Sequence, residues 1–369
     1  MPLALVDEAG GQALFGILVE GLADRFEPGL CDVYARLFSQ VVAQVAENVT
    51  PASLMARYRR VRRPRPILGD PHRVFVLSRV TLGADVAVTS VLLAAAKQRF
   101  PHAEIVFVGP RKNFELFSGD PRLRHADMAY PRGGLRRRLA VWGPLEALLA
   151  APGSVVIDPD SRLTQLGLLP VCPEESDHLF ESRGYGGETD LALPELAAAW
   201  AQETFGVPNA KPYVALEPSG SAHGTHIAVS LGVGENPAKR IPDPFEERLL
   251  ALLASSGAAL VIDKGAGGEE AARVERAVGR SGVKAAFWEG SFAGFAAIIA
   301  ASRLYVGYDS AGQHVAAACG VPLVSIFAGF PAPRMFHRWR PTGERTTVIC
   351  VDRPDPLETL ERVRAAIDG

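Results

Sequence analysis

The sequence predicts an α/β protein of two Rossmann-like domains behind a helical N-terminal extension, and three observations carry that expectation. Residues 74–108 and 304–330 each read as strand, Gly-bearing loop, helix, strand, the order of a βαβ unit. A Pro/Gly/Ser-rich stretch over 205–224, with Lys211-Pro212, Glu217-Pro218-Ser219-Gly220 and His223-Gly224, separates them as a linker. Residues 1–70 carry helical spacing and no strand pattern. The expected domains are therefore 1–70, 71–210 and 225–369.

Length and composition bound the functions open to the chain. Its 369 residues, 48% of them hydrophobic, are enough for two domains with sizeable cores. Lys and Arg number 39 against 41 Asp and Glu, a net charge of -2, so no global field draws nucleic acid or anionic lipid. Nucleic acid is not an expected partner, and any membrane contact must come from local clusters. Cys31, Cys172, Cys319 and Cys350 lie far apart without a C-x-x-C pair, which argues against a zinc module or disulfide framework and fits a reducing cytosol. No basic n-region follows Met1, and no apolar run approaches the ~20 residues that span a bilayer. The expected location is cytoplasmic, soluble or peripheral to the membrane.

In the extension, apolar residues recur at helical spacing in Leu14-Phe15-x-Ile17-Leu18-x-x-Leu22 and in Val33-Tyr34-x-x-Leu37-Phe38-x-x-Val41-Val42. It closes on Arg57-Tyr58-Arg59-Arg60-Val61-Arg62-Arg63-Pro64-Arg65-Pro66, which reads as a linker into the next domain. Such a basic run is either a solvated face or a contact for anionic lipid headgroups or a phosphorylated glycan.

The first Rossmann-like domain opens with the buried strand Val74-Phe75-Val76-Leu77, a loop over 78–83 and a helix over 85–99, with Asp85 where a helix cap is wanted. Arg132 and Arg136-Arg137-Arg138 form a second basic cluster. A strand over 154–157 delivers Asp158, Asp160, Ser161 and Arg162 to its carboxyl end, the edge at which open α/β sheets bind ligands. Gly184-Tyr185-Gly186-Gly187-Glu188 reads as a mobile loop.

The second domain begins with the strand Ile227-Ala228-Val229-Ser230 and a Gly-rich loop, Leu231-Gly232-Val233-Gly234-Glu235-Asn236-Pro237, that delivers Lys239-Arg240 ahead of a helix near Pro244. The strand 259–263 leads through Lys264-Gly265-Ala266-Gly267-Gly268-Glu269-Glu270 into another helix. Residues 304–330 then compress a strand, a polar turn with Asp309 and Ser310 at the N-cap, a small-residue helix from His314, and a second strand. Backbone N–H groups and the dipole at such a helix N-terminus stabilise a phosphate, so Asp309, Ser310 and His314 ring a candidate nucleotide site. The segment 357–367 reads as an amphipathic helix packing back across the domains.

The text D-S-A-G-Q-H followed by V-A-A-A-C-G-V-P resembles the D-[ST]-G-x-x-H-x-A-A-A-x-G-x-P signature of glycosyltransferase family 9, the bacterial heptosyltransferases. Ala311 stands where the family has Gly, and Gly312 follows. The row Arg79-Val-Thr-Leu82-Gly83-Ala84-Asp85-Val-Ala-Val-Thr89 is similar to the family's R-x-x-x-L-G-D-x-x-x-T with one extra residue, Ala84. The loop that ends in Lys239-Arg240 resembles G-x-x-x-x-x-K-R-W-P with Ile241 at the aromatic position, and 265–269 resembles G-[GA]-x-x-E. The resemblance covers roughly 73–350 and leaves the extension outside.

This resemblance implies the GT-B architecture, two Rossmann-like domains facing a cleft, and an inverting glycosyltransferase of the kind used in lipopolysaccharide biosynthesis. The implied reaction moves a heptose-like sugar from an ADP- or related nucleotide-sugar to a glycan or glycolipid hydroxyl, without metal or further cofactor. It implies Asp85 as general base and Lys239 on the donor phosphates; should the base lie elsewhere, Asp158 and Asp160 are the next candidates. Gly232, Gly234, Glu269, Asp309, Ser310, Ala311, Gly312 and His314 complete the implied donor site, with Glu270 the alternative register for Glu269. Residues 122–200 become the acceptor-facing surface. A non-catalytic nucleotide-sugar-binding protein of this fold, or a GT-B epimerase, is the alternative.

Overall fold

The computed structural model describes residues 10–11, 13–14, 20–131, 133–217, 224–234, 236–265 and 267–368. Phe15, Ile17, Leu18, Arg132, Glu235, Ala266 and residues 218–223, all named above, lie outside them. The chain divides into two compact units, Met1–Pro212 and Tyr213–Gly369. Among the described residues no helix is long and apolar enough to cross a membrane.

The first unit begins with helices α1 (Glu20–Ala23), α2 (Pro28–Val42) and α3 (Pro51–Val61). Pro at the first helical positions suits both longer helices, and Thr50 with Ser53 forms a reciprocal capping box at α3. Strands β1 (Arg73–Leu77), β2 (Glu104–Gly109), β3 (Leu123–Asp127), β4 (Ser154–Asp158) and β5 (Asp177–Leu179) form a parallel sheet in the order β3-β2-β1-β4-β5. Between β1 and β2 runs α4, made of Leu82–Ala84, a π-helical turn Asp85–Thr89 and Ser90–Arg99. A π turn is wider by one residue than an α turn, which is how a helix accommodates an extra residue such as Ala84 and still keeps its packed face. After β2 comes α5 (Arg111–Phe114), after β3 come α6 (Leu135–Leu139) and α7 (Trp142–Leu149), and α8 (Leu193–Phe205) closes the unit.

The extension is not a separate domain. Tyr34, Phe38, Val42, Leu54, Tyr58 and Val61 share one hydrophobic core with Phe75, Val106, Val156, Leu163 and Leu179 of the sheet layer. The basic run is also not a linker, because Arg57, Arg59 and Arg60 lie within α3. Arg57 is buried against Asp177, Arg60 makes a two-pronged pair with Glu174 at 2.7 Å, and Arg62 reaches Asp32 at 2.6 Å. Arg65 donates to the carbonyls of Glu174 and Asp177. Arg57, Arg60 and Arg65 clasp β5 and the turn before it while Arg62 ties the end of α3 to α2, so these four are paired within their own unit and do not form the free cationic face that the sequence suggests. The Gly184–Glu188 stretch is likewise tied down, Tyr185 donating to Glu203 of α8 and packing edge-on against Phe180.

The second unit holds β6 (Ile227–Ser230), β7 (Leu260–Asp263), β8 (Ala285–Trp288), β9 (Leu304–Tyr308), β10 (Leu323–Ala328) and β11 (Thr346–Val351), all parallel, in the order β11-β10-β9-β6-β7-β8. Near-continuous apolar runs such as LVSIFA in β10 are what a sheet covered on both faces requires. Its helices are α9 (Phe245–Ala254), α10 (Gly268–Ser281), α11 (Phe292–Ala301), α12 (Ala311–Ala318), α13 (Pro333–Trp339) and α14 (Pro356–Asp368). Helix α14 buries Leu360 and Val363 in the core of its own unit, with Leu249 and Ile349.

Candidate functional site

In the second unit the chain passes outward from β6 in one direction and from β9 in the other, so the strand order reverses between these two neighbours. Ligands of open α/β sheets bind at the carboxyl ends of the strands at such a reversal. Lys239 reaches this place from the loop after β6, its Nζ 2.7 Å from Asp309 Oδ2 and 3.2 Å from the Asp309 carbonyl. The turn that carries it, Pro237–Lys239, is fixed at both ends. Asn236 caps Ala238 N at 3.0 Å and donates to Gly329 O at 3.2 Å. Gly329 has φ +66, and a Cβ there would lie 2.4 Å from the Ala238 backbone, so only glycine lets β10 close on this turn.

Asp309 is 7% exposed, and its second oxygen accepts from Gln313 Nε2 at 2.5 Å, while Gln313 Oε1 accepts from Ser325 at 2.5 Å. The carboxylate that holds Lys239 is thus itself held by α12 and β10. Ser310 is the N-cap of α12 but makes no capping bond, its Oγ lying 3.3 Å from the Tyr305 hydroxyl. The first-turn N–H groups therefore have no side-chain cap, the condition in which a helix N-terminus takes an anion. Gly312 is required by packing, since a Cβ there would sit 2.3 Å from the buried Tyr305 hydroxyl. Ala311, by contrast, occupies the first position of α12 and is partly exposed.

His314 is 5% exposed, beside Gln313 and edge-on to Trp339. Burial, with the Lys239 charge adding to it against Asp309, pushes its imidazole down to about 4, so it is neutral near pH 7. A neutral imidazole offers a hydrogen bond here, not a charge. Glu270 crosses the loop ends, accepting from Val233 N at 3.1 Å and lying so close that a Cβ on Gly265 would be 1.9 Å from Oε1 and one on Gly232 3.2 Å away. Glu269 stands exposed one residue earlier, on the wall of a cavity of about 550 Å³ shared with Gly234, Arg240 and Arg276. The glutamate packed on the Gly232 loop is Glu270.

In the first unit the strand order reverses between β1 and β4. Asp85 lies at this edge, fully buried, with Oδ1 accepting from Arg79 N at 2.7 Å and Thr89 Oγ1 at 2.6 Å, and Oδ2 from Ser78 Oγ and Asn113 Nδ2, both at 2.6 Å. It does not cap its own helix in the ordinary sense but ties β1, α4 and α5 together. Burial raises its pKa, and the four hydrogen bonds oppose the rise. Val80, a β-branched residue at φ +72, shows that the turn before it is strained. Arg79 bonds Pro159 O and Ser182 Oγ at 2.7 Å each, and Asp160 accepts from Ser182 at 2.8 Å and Arg183 at 2.6 Å. Asp158 accepts from Ser161 N and Thr164 Oγ1, and burial lifts its carboxyl to about 7. No group of acidic, His and Cys side chains among the described residues has the spacing of a metal site.

Within each unit the structure therefore brings together most of the residues singled out in the sequence. Lys239, Asp309, Ser310, Gly312 and His314 meet at one sheet edge, and Gly232 lies under Glu270. Gln313, Tyr305 and Asn113 were missed because nothing in their local spacing distinguishes them from helix and strand filler. Only the fold shows that Gln313 and Asn113 hold the carboxylates of Asp309 and Asp85 and that Tyr305 lies against Ser310.

Two parallel, helix-covered sheets with these edges define the GT-B class, and solved heptosyltransferases share the fold. The E. coli ADP-heptose lipopolysaccharide heptosyltransferase II aligns over 80% of this chain and 98% of its own at 20% identity, with a TM-score of 0.56. The E. coli heptosyltransferase WaaC aligns over 80% and 99% at 17% identity and 0.60. A glycosyl transferase family 9 protein of Veillonella parvula aligns over 80% and 89% at 16% identity and 0.58. No curated protein sequence matches the chain. Residues 186–364 match the model of glycosyltransferase family 9 (heptosyltransferase).

Proposed function

We propose that the protein transfers a heptose-like sugar, with inversion, from an ADP- or related nucleotide-sugar to a hydroxyl of a glycan or glycolipid. The observation that carries this reading is Lys239, held beside the uncapped N-terminus of α12 where the strand order reverses. An ammonium and a set of free N–H groups at one point match a diphosphate, and they stabilise the charge that grows on it as the sugar leaves. The same positive charge takes the place of a divalent metal. WaaC, whose fold this chain shares, is described with ADP and with ADP-2-deoxy-2-fluoro heptose, which favours an ADP-linked donor here.

In this reading the acceptor oxygen attacks the anomeric carbon opposite the diphosphate, and Asp85 of the first unit takes the hydroxyl proton. Calorimetry with ADP and ADP-sugars, followed by assay with a lipid-linked glycan, tests donor and transfer separately. One observation favours a second reading, a nucleotide-sugar-binding protein without transfer. Asp85 is fully buried with both oxygens already accepting two hydrogen bonds. Donor binding without acceptor-dependent nucleotide release would establish that reading.

A further inference from the structure

Around Asp85 one polar atom is out of balance. Asn113, in the short helix α5 at the end of β2, is fully buried and gives its Nδ2 to Asp85, yet its Oδ1 is buried with no hydrogen-bond partner. A carbonyl oxygen desolvated without a donor is costly to keep, so its retention calls for a reason. The other partners of Asp85 need no such reason. The Ser78 and Thr89 hydroxyls can rotate between donating and accepting, and the Arg79 main-chain N–H can only donate. An asparagine amide can do both, but only by turning over and exchanging Oδ1 for Nδ2.

We infer that Asn113 is a positioning residue that serves both protonation states of Asp85, its N–H holding the carboxylate and its Oδ1, after the amide turns, accepting the proton that Asp85 has taken. The unpartnered oxygen is the acceptor kept for that proton. The inference deepens the proposed function and rests on Asp85 being the base. In the transfer step the acceptor oxygen forms its bond to the anomeric carbon, and the electron pair of the carbon–oxygen bond leaves with the nucleotide diphosphate. The hydroxyl proton passes to Asp85 Oδ2, which then donates to Asn113 Oδ1 until the proton returns to solvent. The charged group facing Asp85 is Arg79 on the β1 turn, itself backed by Asp160 and Arg183, while Ser78, Thr89 and Asn113 are neutral. Burial works in the same direction, since it favours the protonated carboxyl that this exchange requires.

The test is a pH titration of the full chain, carbon-13 labelled at aspartate, with Asp85→Asn to assign the signal. In Asn113→Leu and Asn113→Ser both forms of Asp85 lose a hydrogen bond, and its midpoint should rise by about one pH unit because the charge-assisted bond lost from the ionised form outweighs the neutral bond lost from the protonated form. The acid limb of kcat/KM should move with it. In the wild type the side-chain amide protons of Asn113 should shift with the midpoint of Asp85 itself. Unchanged midpoints in the variants overturn the inference. So do wild-type Asn113 amide signals that ignore the Asp85 titration, a result readable even where the variants fail to fold. Full transfer activity in Asp85→Asn would instead remove Asp85 as base, and the wild-type titration would still show whether the pair exchanges.

Discussion

The Lys239 ammonium stands 2.7 Å from the Asp309 carboxylate, and Gln313 and Ser325 behind that carboxylate fix where the charge is presented. Lys239 is therefore delivered to one point, which is what recognition of a diphosphate needs. Lys239→Ala should weaken ADP or ADP-sugar binding by about 1.5–3 kcal/mol, the range of a charge-assisted hydrogen bond. Calorimetry with unchanged affinity would take Lys239 out of the donor site.

Gly312 and Tyr305 form a second coupled pair. Gly312→Ala places a methyl 2.3 Å from the Tyr305 hydroxyl, inside a packed interior, and should destabilise the second unit by about 1–3 kcal/mol. Tyr305→Phe removes the nearest of the atoms struck, the hydroxyl, and leaves ring carbons at 2.7 and 2.8 Å. The double variant should accordingly recover part of the loss, and denaturant unfolding of the four proteins measures the coupling. Additive losses would show that the close approach is not the cause.

The clasp between extension and sheet is open to the same kind of measurement. Arg57→Met leaves the Asp177 carboxylate buried without its partner, which should cost about 3–5 kcal/mol. Urea unfolding of wild type and variant checks it. A variant as stable as the wild type would mean that the extension rests on the unit without holding it.

His314 gives a pH dependence whose sign is fixed. Its folded-state pKa, about 4, lies below the ordinary 6.5, so the unfolded chain binds more protons and stability falls as pH drops from about 6.5 toward 4. A shift of that size corresponds to about 3 kcal/mol for a fully buried group. His314→Gln should lose less stability over this window than wild type, as read from urea midpoints at pH 7 and pH 4.5. Parallel losses in the two proteins would assign the acid sensitivity to other groups.

What the sequence made legible was the part of the fold that is local in the chain. Strand β9, its turn and α12 lie within a few residues of one another, so Asp309, Ser310 and His314 could be read together. Lys239 could be placed with them only through family resemblance, because it meets Asp309 across 70 positions of chain. The extension shows the limit most plainly. Arg57, Arg60 and Arg62 read as a basic run because their carboxylate partners, Asp177, Glu174 and Asp32, lie in distant text. Glu269 and Glu270 differ by one position on α10, and only the close approach of Gly265 decides which one lies over the loop.

Acceptor-dependent release of nucleotide from an ADP-sugar, measured for wild type and Asp85→Asn, tests the account most directly. The account predicts release that requires a glycan or glycolipid acceptor in the wild type and falls by about 10²–10⁴-fold in the variant, with donor affinity barely changed. Release independent of acceptor, an isomerised sugar in place of a transferred one, or full transfer by Asp85→Asn would contradict it.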